Sequence, residues 1–207
     1  MHKKGIALAF FVILILFFPI FIFAQNEENF ETETESLKSE ESSENGLIKA
    51  MNLTDPSPDG IYKIGNFSIQ FIPPKGWKML KQDSSSSEYA GIQFMPPEFT
   101  MISLRISIIP FPAASDMGAT AFLENMLKEE ASKDPSVLEQ RMIKFADTDA
   151  ATWITKLGGM KTKQIQFFKG INMFMITFGA EDQNFDKLIP VIEESLNSFK
   201  IISSDSK

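Results

Sequence analysis

The chain of 207 residues has no cysteine and one histidine, His2. Without thiols there are no disulfides, no thiolate nucleophile and no sulfur-rich zinc or copper site. His2 lies in a leader-like segment, so the body of the chain also lacks the side chain that shuttles protons near neutral pH. A serine nucleophile would have no histidine base, and neither a Gly-x-Ser-x-Gly elbow nor a glycine-rich phosphate loop is present. No catalytic, cofactor-binding or metal-ligating residue is assigned, and the chain is expected not to be an enzyme.

Excess basic charge is missing too, since 20 Lys and Arg stand against 27 Asp and Glu. Eight of the acids and one lysine lie between Asn26 and Gly46, and two lysines lie in the leader. The 17 bases and 19 acids from Leu47 onward leave a body of charge −2. It has no basic face for nucleic acid, which is not expected as a partner.

What is present begins with Met1-His2-Lys3-Lys4 and an apolar run from Gly5 to Phe23, ending in Ala24. A basic start, an apolar core and a small residue before a polar stretch are the marks of a signal peptide over residues 1–24. The run is also near the ~18 residues that span a bilayer, so an uncleaved inner-membrane anchor over residues 5–23 stays open beside it. Under both readings Lys3 and Lys4 stay cytoplasmic. The rest is expected to be periplasmic or extracellular, touching membrane only through the N-terminal segment if that is retained. Residues 25–60 are expected to be a disordered acidic linker, because their Glu, Ser, Thr and Asn cannot bury enough area to offset ordering. The folded body is expected over 61–202, with 203–207 as a tail.

In that body Phe67, Ile69 and Phe71 alternate with polar residues, as do Ala90, Ile92 and Phe94, and Leu104, Ile106 and Ile108. This is the period of half-buried strands. Ala119, Phe122, Leu123, Met126, Leu127 and Ala131 instead fall at helical spacing, after a cap expected at Ser115. Strand patterning returns over 137–145, 151–157 and 165–168, with turns at Gly158-Gly159 and Lys169-Gly170-Ile171-Asn172. Met173 to Phe178 is apolar on both faces, which predicts a central strand. A stripe from Phe185 to Phe199 predicts a last helix, either bent by Pro190 or starting near it. Strands in hairpin order with two helices argue an antiparallel α+β layered fold.

Three segments carry a family resemblance. They are the strand and break Phe67-Ser68-Ile69-Gln70-Phe71-Ile72-Pro73-Pro74-Lys75-Gly76-Trp77, the helix segment Ala121-Phe122-Leu123, and the ending from Leu188-Ile189-Pro190 to Leu196-Asn197-Ser198-Phe199. With them the domain resembles the PsbP/Mog1-like group, which includes photosystem II extrinsic proteins, a nuclear-transport factor and bacterial envelope proteins. The resemblance implies an antiparallel sheet of about six strands sandwiched by helices, and a non-enzymatic role in binding or assembling other proteins. This chain lacks the lipidation cysteine common among envelope relatives and any plastid-type transit peptide. No family binding residue maps onto it.

Several groups compete for a functional reading. Asp147-Thr148-Asp149, and Glu181-Asp182 near Asp186, are the best carboxylate clusters, yet they lack the glycine and spacing of a calcium loop; turn and helix-start chemistry competes. Lys156, Lys161 and Lys163 flank the Gly158-Gly159 turn and suit an anionic headgroup or acidic partner, or else keep a hairpin soluble. Met95, Met101, Met142, Met160, Met173 and Met175 suit core filling better than a soft metal. Ser84 to Ser87 reads as a polar loop. Trp77, Met160 and Phe168 are candidates for exposed apolar contacts with a protein partner, the competing reading being core. The function expected is an exported protein-binding or assembly factor at the bacterial cell envelope. The alternative is a periplasmic binder of a small ligand or divalent cation, in a cleft between sheet and helix.

Overall fold

A computed structural model describes residues 53–80, 90–98, 101–112, 117–129 and 134–204. The leader, most of the acidic segment, Ser115, the loop at Ser84 to Ser87 and the last three residues lie outside the described residues. The described chain runs β1 (Leu53–Thr54), β2 (Ile61–Ile64), β3 (Phe67–Gln70), β4 (Lys78–Leu80), β5 (Ala90–Met95) and β6 (Ser103–Pro110). Helix α1 (Ala119–Glu129) follows. Then come β7 (Val137–Phe145), β8 (Thr148–Leu157), β9 (Met160–Lys169), β10 (Asn172–Glu181), helix α2 (Asp182–Asn197) and β11 (Lys200–Ser204).

Among the described residues the main sheet has eight strands, in the order β1-β4-β5-β6-β10-β9-β8-β7, and every pairing is antiparallel. The resemblance implied about six, and the sheet has eight; β1 and β4 are too brief for alternation to show them. A second sheet, β11-β3-β2, was not expected. The stretch expected to be linker contributes β1, which pairs Leu53 with Leu80, and the expected tail contributes the end of β11, where Ser204 pairs with Phe67.

Successive side chains of a strand point to opposite faces, and Phe167 and Phe168 show the result. Phe167 stacks on Phe174 at 5.0 Å and meets Phe145 and Phe199. On this face the small sheet docks Tyr62 and Phe71 on Phe94 and Phe67 on Phe174, while α2 stacks Phe185 on Phe178. Phe168 faces the other way, against Phe122 of α1 and Phe111. The sheet thus has a helix on each face, and the small sheet shares a layer with α2.

Helix α2 runs unbroken through Pro190, which sits on its exposed side. There the carbonyl that loses its helical donor can be met by water. At its end the Ser198 hydroxyl donates to the Ser195 carbonyl at 2.6 Å and accepts from the Ile72 N–H at 2.8 Å. This one side chain joins the helix end to the strand break after β3 and delivers Phe199 into the core, which accounts for the Ser-Phe ending.

The β7–β8 turn is Ala146-Asp147, and both have positive φ, 49° and 61°, the only non-glycine residues to do so among those described. A two-residue hairpin turn of this type favours glycine at its second position. We expect Asp147→Gly to raise the unfolding free energy by about 0.5–1 kcal/mol. That is the relief of left-handed strain less the extra entropy glycine loses on folding. Urea unfolding checks it, with a lower midpoint counting against the strain.

Candidate functional site

The residues singled out for partner contact are buried. Trp77 is 7 %, Met160 8 % and Phe168 5 % exposed. Trp77 belongs to the main core, and Phe168 is enclosed by Phe111 and Phe122. All three take inward positions, so they form no exposed contact surface. Among the six methionines, Met95, Met160, Met173 and Met175 are also buried.

The lysines beside the Gly158-Gly159 turn are tied down. Lys156 pairs with Asp182, Lys161 with Asp182 at 2.9 Å and Asp186 at 3.0 Å, and Lys163 with Glu193 at 2.6 Å. Their strands bring them under α2, so they fasten the helix to the sheet instead of facing an anionic partner. Hydrogen bonds from Lys156 and Lys161 hold the Asp182 carboxyl below its ordinary value of 3.8, and Asp182 with Asp186 holds the Lys161 ammonium above 10.5. The other carboxylate cluster is likewise engaged. Asp149 accepts from Lys144 at 2.6 Å and from Thr120 of α1 at 2.9 Å, and these bonds lower its carboxyl too. Among the described residues no three acidic side chains converge to hold a metal ion.

The folded value of Asp182 lies below the unfolded one, so its contribution is present above about 4 and is lost as pH falls through the folded value. The Lys161 contribution is present below its unfolded value near 10.5 and is lost as pH rises through the folded value. We expect the stability difference between wild type and Asp182→Asn to be flat from about pH 5 to 9 and to shrink at both ends. A difference unchanged down to about pH 2 would remove the ion pairs from the account.

The face under α1 carries a polar layer that strand periodicity alone does not single out. Gln93, Ser107 and Gln166 are 6 %, 1 % and 2 % exposed. Arg105 donates through Nε to Ser107 Oγ at 3.0 Å, and burial lowers its guanidinium from the ordinary value. Gln166 Nε2 approaches Met175 Sδ at 3.3 Å, while its Oε1 is buried with no hydrogen-bond partner. The signal in the sequence was glutamine at two successive positions, Gln164 and Gln166, of the β9 face that carries Phe168.

The remaining feature is an edge. β7 closes the main sheet, and among the described residues no strand pairs with its outer side. Leu138, Glu139, Gln140 and Arg141 are exposed, Leu138 by 53 %. Among the described residues neither Glu139 nor Arg141 makes an ion pair or side-chain hydrogen bond. The two-residue turn makes Phe145 and Thr148 a hydrogen-bonded pair, and such pairs alternate along the hairpin. The residues between them, Gln140, Met142 and Lys144, therefore turn their backbone N–H and C=O outward. The opposite edge, β1, is two residues long.

No family profile matches this chain, and no curated protein does. Solved structures do. The solution structure of cyanobacterial PsbP (CyanoP) from Synechocystis sp. PCC 6803 is similar with TM-score 0.46 and 12 % identity, over 73 % of this chain and 93 % of that one. A crystal structure from Bacteroides thetaiotaomicron VPI-5482 gives TM-score 0.46 and 17 % identity over 76 % of this chain, which spans about half (51 %) of that protein. LpqN of Mycobacterium tuberculosis, described as involved in cell envelope biogenesis, gives 0.38 and 15 %, over 76 % and 95 %. The likeness is one of fold. No binding residue is carried across.

Proposed function

We propose that this chain is an exported, non-enzymatic domain that binds a protein partner at the bacterial cell envelope, and that it does so by strand addition at β7. Export is read from the leader, and the acidic stretch serves as a spacer. The absence of cysteine, and of histidine beyond His2, argues against nucleophilic or general-base chemistry. The observation that carries the reading is the nine-residue outer edge of β7 with its exposed Glu139 and Arg141, neither ion-paired among the described residues. A free edge offers backbone donors and acceptors to an extended partner, and alternate side chains supply specificity. A photocrosslinking residue at Gln140, in cells, tests it. Adducts there, and none from the same probe at exposed Ile171, are expected. No adduct at Gln140, or intact chain confined to the cytosol, overturns the reading.

A second reading, a small-ligand site, draws on the buried Gln166 Oε1, without a hydrogen-bond partner among the described residues, on the sheet face that also carries Arg105 and Ser107 across β10. A ligand bound only by the folded state raises the melting temperature with its concentration. That reading expects such a rise for a panel of small amides and carboxylates in wild type and its loss in Gln166→Leu. No rise in wild type discards it.

A further inference from the structure

We infer that the partner at the β7 edge is a second copy of this chain, β7 adding antiparallel to β7 about a two-fold axis at Gln140. The inference rests on the reading of β7 as a binding edge and adds the identity of the occupant. Only registers that oppose outward-turned residues can form the ladder, so a symmetric pairing must set Gln140, Met142 and Lys144 of one copy against residues of the same alternation in the other. Centring on Gln140 places Gln140 against itself and Leu138, the residue in the irregularity between Val137 and Glu139, against Met142. It also places Glu139 against Arg141 of the second copy, and Arg141 against its Glu139. These two ion pairs fall at positions without ladder hydrogen bonds, where opposed side chains are closest. The neighbouring register puts Arg141 against itself, a like-charge contact. The one centred on Met142 puts Glu139 against Phe145 and Gln140 against Lys144. Self-complementarity therefore picks one register.

The same charges guard the edge against other strands. A charged side chain on a sheet edge must lose water when an arbitrary strand pairs with it, and here only the symmetric partner returns an opposite charge to both positions. A two-fold contact of this kind closes on itself and leaves no further edge at that end of the sheet. The body from Leu47 onward carries a net charge of only −2, so two copies meet with little long-range repulsion.

Charge reversal tests the pairing by light scattering and sedimentation of the purified protein at graded concentrations. Wild type is expected at twice the chain mass. Glu139→Arg and Arg141→Glu are each expected to weaken self-association by about tenfold or more, since each turns two attractions into repulsions. The double variant restores it, and an equimolar mixture of the two single variants forms a mixed dimer. Far-UV circular dichroism confirms that the single variants are folded. A monomer at all concentrations, or a dimer indifferent to these changes, overturns the inference. If the Gln140 probe then links to a different protein, the binding edge stands and only its occupant is wrong; if it links to nothing, both fall.

Discussion

Phe174→Ala is expected to lower the unfolding free energy by about 3–5 kcal/mol, a large part of the 5–15 kcal/mol typical of a domain. Phe174 is fully buried in β10, with β6 and β9 on either side. Its ring stacks on Phe167 at 5.0 Å, meets Phe67 of the small sheet edge-on at 5.0 Å, and reaches Phe199 beyond α2 at 6.5 Å. Removing it opens a cavity bordered by both sheets and the chain that follows α2. None of these can shift inward without pulling away from another neighbour. Urea unfolding should show a lower midpoint at unchanged slope. Phe174→Leu keeps most of the apolar volume and should lose less than half as much. An alanine variant that loses under about 1 kcal/mol would mean that the site collapses freely and does not join the layers.

Gly60→Ala is expected to cost about 2–4 kcal/mol, although only one methyl group is added. Gly60 has φ +67°, and an added Cβ would stand 2.9 Å from the Phe71 carbonyl oxygen. The Gly60 carbonyl also accepts from the Phe71 N–H at 2.8 Å. The two backbones meet just where β2 begins to pair with β3, so the clash cannot be relieved by turning a side chain. Gly158→Ala provides the comparison. Its φ is +57°, and nothing lies within 4 Å of the added atom. It should cost only the left-handed penalty, about 1–2 kcal/mol. Equal losses for the two variants would show that close approach at Gly60 contributes nothing.

Much of this fold was readable from periodicity. The alternation of Leu104, Ile106 and Ile108 in β6, the doubly apolar run that becomes central β10, and the stripe Phe122, Leu123, Met126 and Leu127 on α1 all take the places their spacing implies. Short strands were not readable. Leu53–Thr54 and Lys78–Leu80 are strands because a longer neighbour offers them a ladder, and the sequence window that would reveal them is shorter than one period test requires. The small sheet escaped for a related reason. Phe67 to Phe71 announces a strand, but its partner Lys200–Ser204 lies far along the chain and carries a bulge after Ile201. Site residues were harder still. A lysine on β8 or β9 reads the same whether it faces solvent or an aspartate of α2, and only the docking of the helix decides. Glu139 and Arg141 could be seen only once β7 was known to be the outermost strand.

The pairing of β11 with β3 has a further consequence. The small sheet needs both the first and the last stretches of the body, so no nascent or partly threaded chain can complete it. Until β11 has emerged, β3 is paired on one side only, with β2. The molecule should therefore reach its full resistance to proteolysis only once β11 has paired with β3. A stop codon placed after Asn197 should yield a product that is cleared from the cell, whatever the condition of the main sheet.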